Sequence, residues 1–160
     1  LVLLLKNLLF TVVLPGTVAV YLPMRIAGGR PPASGGALAA AVALFALGGA
    51  IYAWCVWDFA SFGRGTPAPI DAPKKLIVRG LYRYLRNPMY VGVLTVILGW
   101  SVFFEDAGLI LYACFVCLCF NLFIRAYEEP HLRREFGAQY EDYCARVGRW
   151  IPRPPWRPAG

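Results

Sequence analysis

An all-α polytopic membrane protein, with about four spans and a C-terminal amphipathic helix, is the fold class this sequence predicts. Two observations lead to it. Of the 160 residues, 59% are hydrophobic and only 16% charged, far from the balance of a soluble domain. The apolar residues also come in runs near the roughly twenty needed to cross a bilayer, and the charges gather between the runs. A soluble core helix would keep a polar face along its length; these runs have almost none. The length suits a single domain over 1–160.

The first span is expected at about 3–24, with a kink at Pro15-Gly16. It reads as an anchor and not a signal peptide, being long, lacking a small-x-small cleavage site and preceding further spans. The chain opens on Leu1, so a few preceding residues are expected to be missing. A Gly/Pro turn over 25–36 leads to a second span at about 37–60, where Trp54 and Trp57 suit an interfacial aromatic belt. A polar loop over 61–87 follows. Pro88 starts the third span, about 88–104. Glu105-Asp106 makes a short turn into the fourth, about 107–124.

Beyond this point the pattern changes. Leu132, Phe136, Tyr140, Tyr143 and Val147 recur at helical spacing with charges opposite, predicting an amphipathic helix at about 130–148 that rests on the membrane surface or on the 61–87 loop. Pro130 is expected to open that helix and to prevent a straight continuation of the fourth span. The tail from Pro152 to Pro158 reads as extended.

The net charge of +7 follows topology. Arg64, Lys74, Lys75, Arg79, Arg83 and Arg86 lie in the second loop, and Arg125, Arg133, Arg134, Arg146, Arg149, Arg153 and Arg157 follow the fourth span. The first loop has Arg25 and Arg30, and the third has no basic residue. The positive-inside rule therefore puts loop two and both termini in the cytoplasm. No nucleic-acid-binding motif accompanies the charge, so nucleic acid is not an expected partner. Cys114-x-x-Cys117 has metal-ligand spacing, but it sits in an apolar run without further ligands. It and the other three cysteines read as packing residues, and no metal site is expected.

Two segments on the cytoplasmic side draw attention. Gly80 to Gly92 packs basic, aromatic and turn residues against the mouth of span three. Arg83 and Arg86 serve equally as positive-inside anchors, and Tyr82, Tyr84 and Tyr90 as interface aromatics. The second segment is Arg125-Ala126-Tyr127-Glu128-Glu129-Pro130-His131-Leu132. Two adjacent carboxylates at the end of an apolar helix oppose both the helix dipole and the local charge pattern. Pairing with Arg125, Arg133 or Arg134 explains them, and a cationic ligand explains them better. Glu128 and Arg125 are the catalytic candidates, with His131, the single histidine, reading as an ordinary helix-start residue.

Tyr82 with Arg86-Asn87-Pro88-Met89-Tyr90-Val91-Gly92, then Glu128-Glu129-x-x-Leu132, Phe136-Gly137-x-x-Tyr140-x-x-Tyr143 and Arg149-Trp150-Ile151-Pro152, resembles the isoprenylcysteine carboxyl methyltransferase and phospholipid methyltransferase family. Gly65-Thr66-Pro67-Ala68-Pro69 looks like its bacterial branch. The order and spacing over about residues 58 to 152 make the resemblance specific. It implies an integral protein of a bacterial inner membrane, binding S-adenosylmethionine at the cytoplasmic ends of the last two spans under the C-terminal helix. By position, Tyr82, Asn87, Pro88, Met89 and Tyr90 would line the cofactor site, with Glu128 opposite and Glu129 assisting. Lys74, Lys75, Leu76 and Ile77 would supply main-chain contacts. The acceptor would be lipid-soluble or membrane-associated and would enter sideways from the bilayer.

Two departures bear on that acceptor. Eukaryotic isoprenylcysteine enzymes have His where this chain has Asn87, and their carboxylate-binding Arg aligns with Ile124. Arg125 is about 100° away around a helix. A prenylcysteine carboxylate is therefore the less expected acceptor, and phospholipid amines, small thiols or another lipid-soluble acceptor stay open. Other readings are an NADPH-dependent membrane reductase related to sterol reductases, and a non-catalytic scaffold holding anionic lipid.

Overall fold

The computed structural model describes residues 13–63 and 76–156. The first part of span one, Lys74, Lys75, the 65–69 stretch and the end of the tail lie outside them. All regular elements among the described residues are helical: α1 (Val13–Ala27), α2 (Gly35–Ser61), α3 (Pro88–Phe103), α4 (Ala107–Phe136) and α5 (Ala138–Arg146). By length and composition α2 and α4 suffice to cross a membrane, whereas α1 and α3 are shorter apolar helices. The outer face of α4 exposes Leu111 (72%), Phe115, Leu118 and Leu122 at helical spacing. An apolar stripe of that extent is costly in water and matches a lipid environment.

Antiparallel α2 and α3 approach until backbone meets backbone. A Cβ at Gly48 would stand 2.7 Å from the Gly92 carbonyl, and one at Gly99 would meet the Phe45 ring at 2.7 Å. Small residues permit this approach, and dispersion across the seam, not the hydrophobic effect, holds helices together in lipid. At the far end, Ala33 N–H donates to Phe103 O at 2.7 Å. Asp106 caps α4 by accepting from Gly108 N–H at 2.8 Å, and it pairs with Arg30 at 3.3 Å.

In α1 the helix widens to a π-turn over Thr17–Tyr21, just after Pro15-Gly16. Leu22 N–H bonds to Thr17 O, and Pro23 has no N–H to give, so Val18 and Ala19 lose their usual helical donors. Two side chains supply replacements. Tyr112 O–H reaches Val18 O and Trp100 Nε1–H reaches Ala19 O, each at 2.8 Å. In an apolar medium such a replacement is nearly obligatory, and these two bonds tie α1 to α3 and α4.

The C-terminal part differs from the sequence expectation in two ways. Pro130 falls in the first turn of an α-helical piece, Glu129–Phe136, as expected, but that piece is continuous with the rest of α4. A π-turn over Ile124–Glu128 absorbs the change, with Glu129 N–H bonded to Ile124 O. The single helix expected at 130–148 is instead two pieces. Gly137, at φ 50 and ψ −127, separates the end of α4 from α5, a conformation that an L side chain resists. The apolar stripe survives the break: Tyr140, Tyr143 and Val147 are buried together against Leu76, Val78, Leu132 and Phe136. After α5 the chain laces onto the 82–87 loop. Arg86 N–H donates to Gly148 O (2.8 Å), Arg153 N–H to Tyr84 O (2.9 Å) and Trp156 N–H to Arg83 O (3.1 Å).

Candidate functional site

The start of α3 positions the first half of the site. Asn87 precedes Pro88 with φ −124 and ψ 50, outside the helical region that a following proline disfavours. Its Nδ2–H donates to Arg149 O at 3.2 Å instead of capping the helix. Tyr82 sits in a 3-10 turn, Gly80–Arg83. The buried Tyr143 hydroxyl donates to Tyr82 O at 2.7 Å, and Phe59 packs edge-on to the Tyr82 ring at 5.7 Å. Gly80, at φ 50, leaves no room for a Cβ beside the Asp58 carboxylate and the Trp54 indole, so this turn fits only as glycine.

These residues face a cavity of about 280 Å³. Tyr82, Arg86, Asn87, Met89, Tyr90 and Val93 form one side, and Phe120, Phe123 and Glu128 of α4 the other. Tyr52 and Phe59 of α2 close the back, while Leu14, Pro15 and Val18 of α1 form the remaining wall. Leu14 and Phe123 are themselves partly exposed, so the cavity has an apolar flank toward the outside between α1 and α4.

The adjacent carboxylates have opposite surroundings. Glu129 is buried, and Arg149 grips it in bidentate fashion, Nε to Oε1 at 2.7 Å and Nη2 to Oε2 at 2.9 Å. Arg86 Nη1 adds a bond at 3.2 Å, and Arg133 lies 3.9 Å away. Burial works against the charge, but the Arg149 hydrogen bond and the surrounding arginine charges outweigh it and hold this carboxyl below its ordinary pKa. Glu128 lines the cavity. Its partner is a phenol, Tyr90 O–H, donating to Oε2 at 2.8 Å, and no cationic side chain pairs with it among the described residues. Burial raises its pKa, the Tyr90 bond opposes the rise, and the Glu129 charge adds to it.

Of the residues singled out in the sequence, Tyr82, Asn87, Met89, Tyr90 and Glu128 converge on the cavity. Pro88 is buried as the first residue of α3. Ile77 packs with Cys55 and Tyr82 behind the wall, and Leu76 packs against the α5 cluster. Lys74 and Lys75 lie outside the described residues. Glu129 and Arg125 are not among the lining side chains; Arg125 is exposed on α4. His131 stacks on Tyr127, which stacks on Phe123 (centroids 6.1 and 5.3 Å apart). The walls from α1 and α2 were not legible from motifs, because apolar side chains within spans carry no local signal.

A family model described as phospholipid methyltransferase matches residues 37–139. A probable protein-S-isoprenylcysteine O-methyltransferase of Oryza sativa is 34% identical over 80 residues, 49% of this chain and 41% of the relative. Protein-S-isoprenylcysteine O-methyltransferase B of Arabidopsis thaliana is 35% identical over 79 residues, 49% and 40% respectively. A Delta(14)-sterol reductase of Gallus gallus is 30% identical over 82 residues, covering 49% of this chain but 13% of the relative. The matched stretches thus span less than half the length of these relatives. No solved structure matches.

Proposed function

The chain belongs to the phospholipid methyltransferase family, and from that premise we propose that it transfers a methyl group from S-adenosylmethionine to a lipid-soluble acceptor at the cytoplasmic face of a bacterial inner membrane. In this reading four spans lie at about 3–24, 37–60, 88–104 and 107–124, the last being only the apolar first part of α4, with both termini in the cytoplasm. The clustering of Lys and Arg in the 61–87 loop and after span four supports that orientation.

The observation that carries the reading is the contrast between Glu128 and Glu129. Glu129 is satisfied by arginines. Glu128 faces the cavity with a tyrosine hydroxyl as partner, and a carboxylate so placed favours a cation. S-adenosylmethionine, when bound, supplies a methyl group on a positively charged sulfur and carries an ammonium on its methionine part. Glu128 is the group to hold the positive end of that methionine moiety through charge-assisted hydrogen bonds. The rings of Tyr82 and Tyr90 offer faces to a cation or to adenine. Asn87, with its Nδ2 engaged by Arg149 O, keeps a carbonyl oxygen as acceptor. Pro88 and Met89 shape the wall. Lys74, Lys75, Leu76 and Ile77 contribute main-chain contacts, and Glu129 supports the site from behind.

The side chains here orient and enclose. Holding acceptor and cofactor in line lowers the barrier by several kcal/mol, on the order of what positioning alone supplies. The acceptor enters from the bilayer between α1 and α4, where Leu14 and Phe123 flank the cavity. A reductase reading fits less well, since the unpaired charge in the cavity is negative and the phosphates of NADPH require the opposite sign.

Calorimetric titration of the purified protein with S-adenosylmethionine and with NADPH decides the matter. Binding of the first and not the second is expected. Binding of NADPH alone favours the reductase, and binding of neither leaves the lipid scaffold. Incubating a lipid extract with methyl-labelled cofactor then identifies the acceptor by which species takes up label.

A further inference from the structure

The segment that follows α5 holds an unusual pair of contacts. Trp150 sends its indole N–H to Oδ1 of Asn121 at 3.3 Å, and Asn121 lies within the apolar run of α4. The preceding residue, Arg149, grips Glu129 further along the same helix. Two consecutive residues thus hold α4 at points about 12 Å apart along its axis. The segment is laid against the helix, with Trp150 at the depth where the apolar run ends. Ile151 is then 77% exposed, more than any other large hydrophobic among the described residues, and Pro152 and Arg153 follow it. Arg125, one helical turn beyond Asn121 on the same face, is also exposed. An exposed isoleucine between arginines, fixed at the end of an apolar run, has the arrangement of an interfacial anchor: apolar tip inward, cations at the phosphates.

We propose that Trp150-Ile151-Pro152 is a membrane-docking tip. It seats in the lipid leaflet at the loop end of the bundle, with Ile151 at the boundary between acyl chains and headgroups and Arg125 and Arg153 toward lipid phosphates. The proposal rests on the membrane reading of α4. It also gives the tail a second role. Gly148 O accepts from Arg86 N–H and Arg149 O accepts from Asn87 Nδ2–H, so the docked segment is bonded directly to the wall of the cavity.

The test places a photoreactive benzoylphenylalanine at one position at a time, Ile151, Leu118 or Arg134, in protein reconstituted into phosphatidylcholine–phosphatidylglycerol vesicles. Leu118 is exposed on the apolar stripe of α4, and Arg134 is exposed on its charged end. After irradiation, mass spectrometry is expected to find phospholipid adducts at 151 and 118 and none above background at 134. Adducts at 118 without any at 151, or equal adducts at 151 and 134, overturn the docking tip while leaving the membrane reading intact. No adduct at 118 removes the membrane reading, and the tip with it.

Discussion

Tyr90 on α3 donates its hydroxyl to Oε2 of Glu128 on α4 at 2.8 Å, joining the two halves of the cavity. One residue further on, Glu129 turns toward Arg149, Arg86 and Arg133. A single step along the helix therefore separates a carboxylate available to a ligand from one spent on structure.

Glu128→Gln removes the charge and keeps the shape. It is expected to weaken S-adenosylmethionine binding by about an order of magnitude or more, read by calorimetric titration. Unchanged affinity removes Glu128 from the cofactor site.

Glu129→Gln breaks a buried, multiply paired charge and leaves arginines uncompensated. A loss of roughly 3 kcal/mol is expected, seen as a drop of several degrees in the midpoint of thermal unfolding in detergent. Glu128→Gln in the same assay should leave the midpoint unchanged or higher, since it deletes a desolvated charge without an ion partner. Equal midpoints for the two variants contradict the division of labour.

The same two groups set a pH dependence with opposite signs. The Glu128 pKa is raised by burial, so its contribution to stability is complete below the unfolded-state value and is lost as pH rises through the folded one. Its hold on a cation runs the other way and weakens as pH falls through that raised value. The Glu129 pKa is lowered, its arginine contacts overcoming burial. Its contribution persists above the ordinary value and is lost only as pH falls through the depressed one. Acid titration from neutral pH should therefore abolish cofactor binding before it unfolds the protein, with both followed on one sample.

Gly48→Val should destabilise by about 1–3 kcal/mol through overpacking against Gly92 and Val96. Neighbouring Gly49, with nothing within 4 Å of its would-be Cβ, should accept alanine at no cost. Thermal melts of the two variants test whether the α2–α3 seam is as close as the backbone distances indicate.

Trp100→Phe retains an aromatic ring but leaves Ala19 O without its donor. About 1–3 kcal/mol is the expected loss for an unsatisfied buried carbonyl. Trp57→Phe on an exposed position serves as the control and should be neutral.

The motif residues were legible because their types are unusual where they stand. Asn87-Pro88 marks a helix start, and a Glu pair at the end of an apolar helix is a charge anomaly. The division of labour between Glu128 and Glu129 was not legible, because it depends on which way a π-turn rotates α4 and on where Arg149 arrives from twenty residues away. The continuity of α4 through Pro130 was missed for the same reason. Proline forbids one hydrogen bond, and a wider turn just before it lets the helix continue past it, as also happens before Pro23 in α1.

The sequence by itself determined that the chain is helical, apolar enough for a membrane, and basic at one end, because those properties follow from composition and run length. It also determined the order of the motif residues. Only the tertiary structure decided that α1 and α2 complete the cavity, that Glu128 faces it while Glu129 does not, and that Trp150 reaches down to Asn121. These depend on contacts between segments far apart in the chain, where direction and depth are set by packing and not by local pattern.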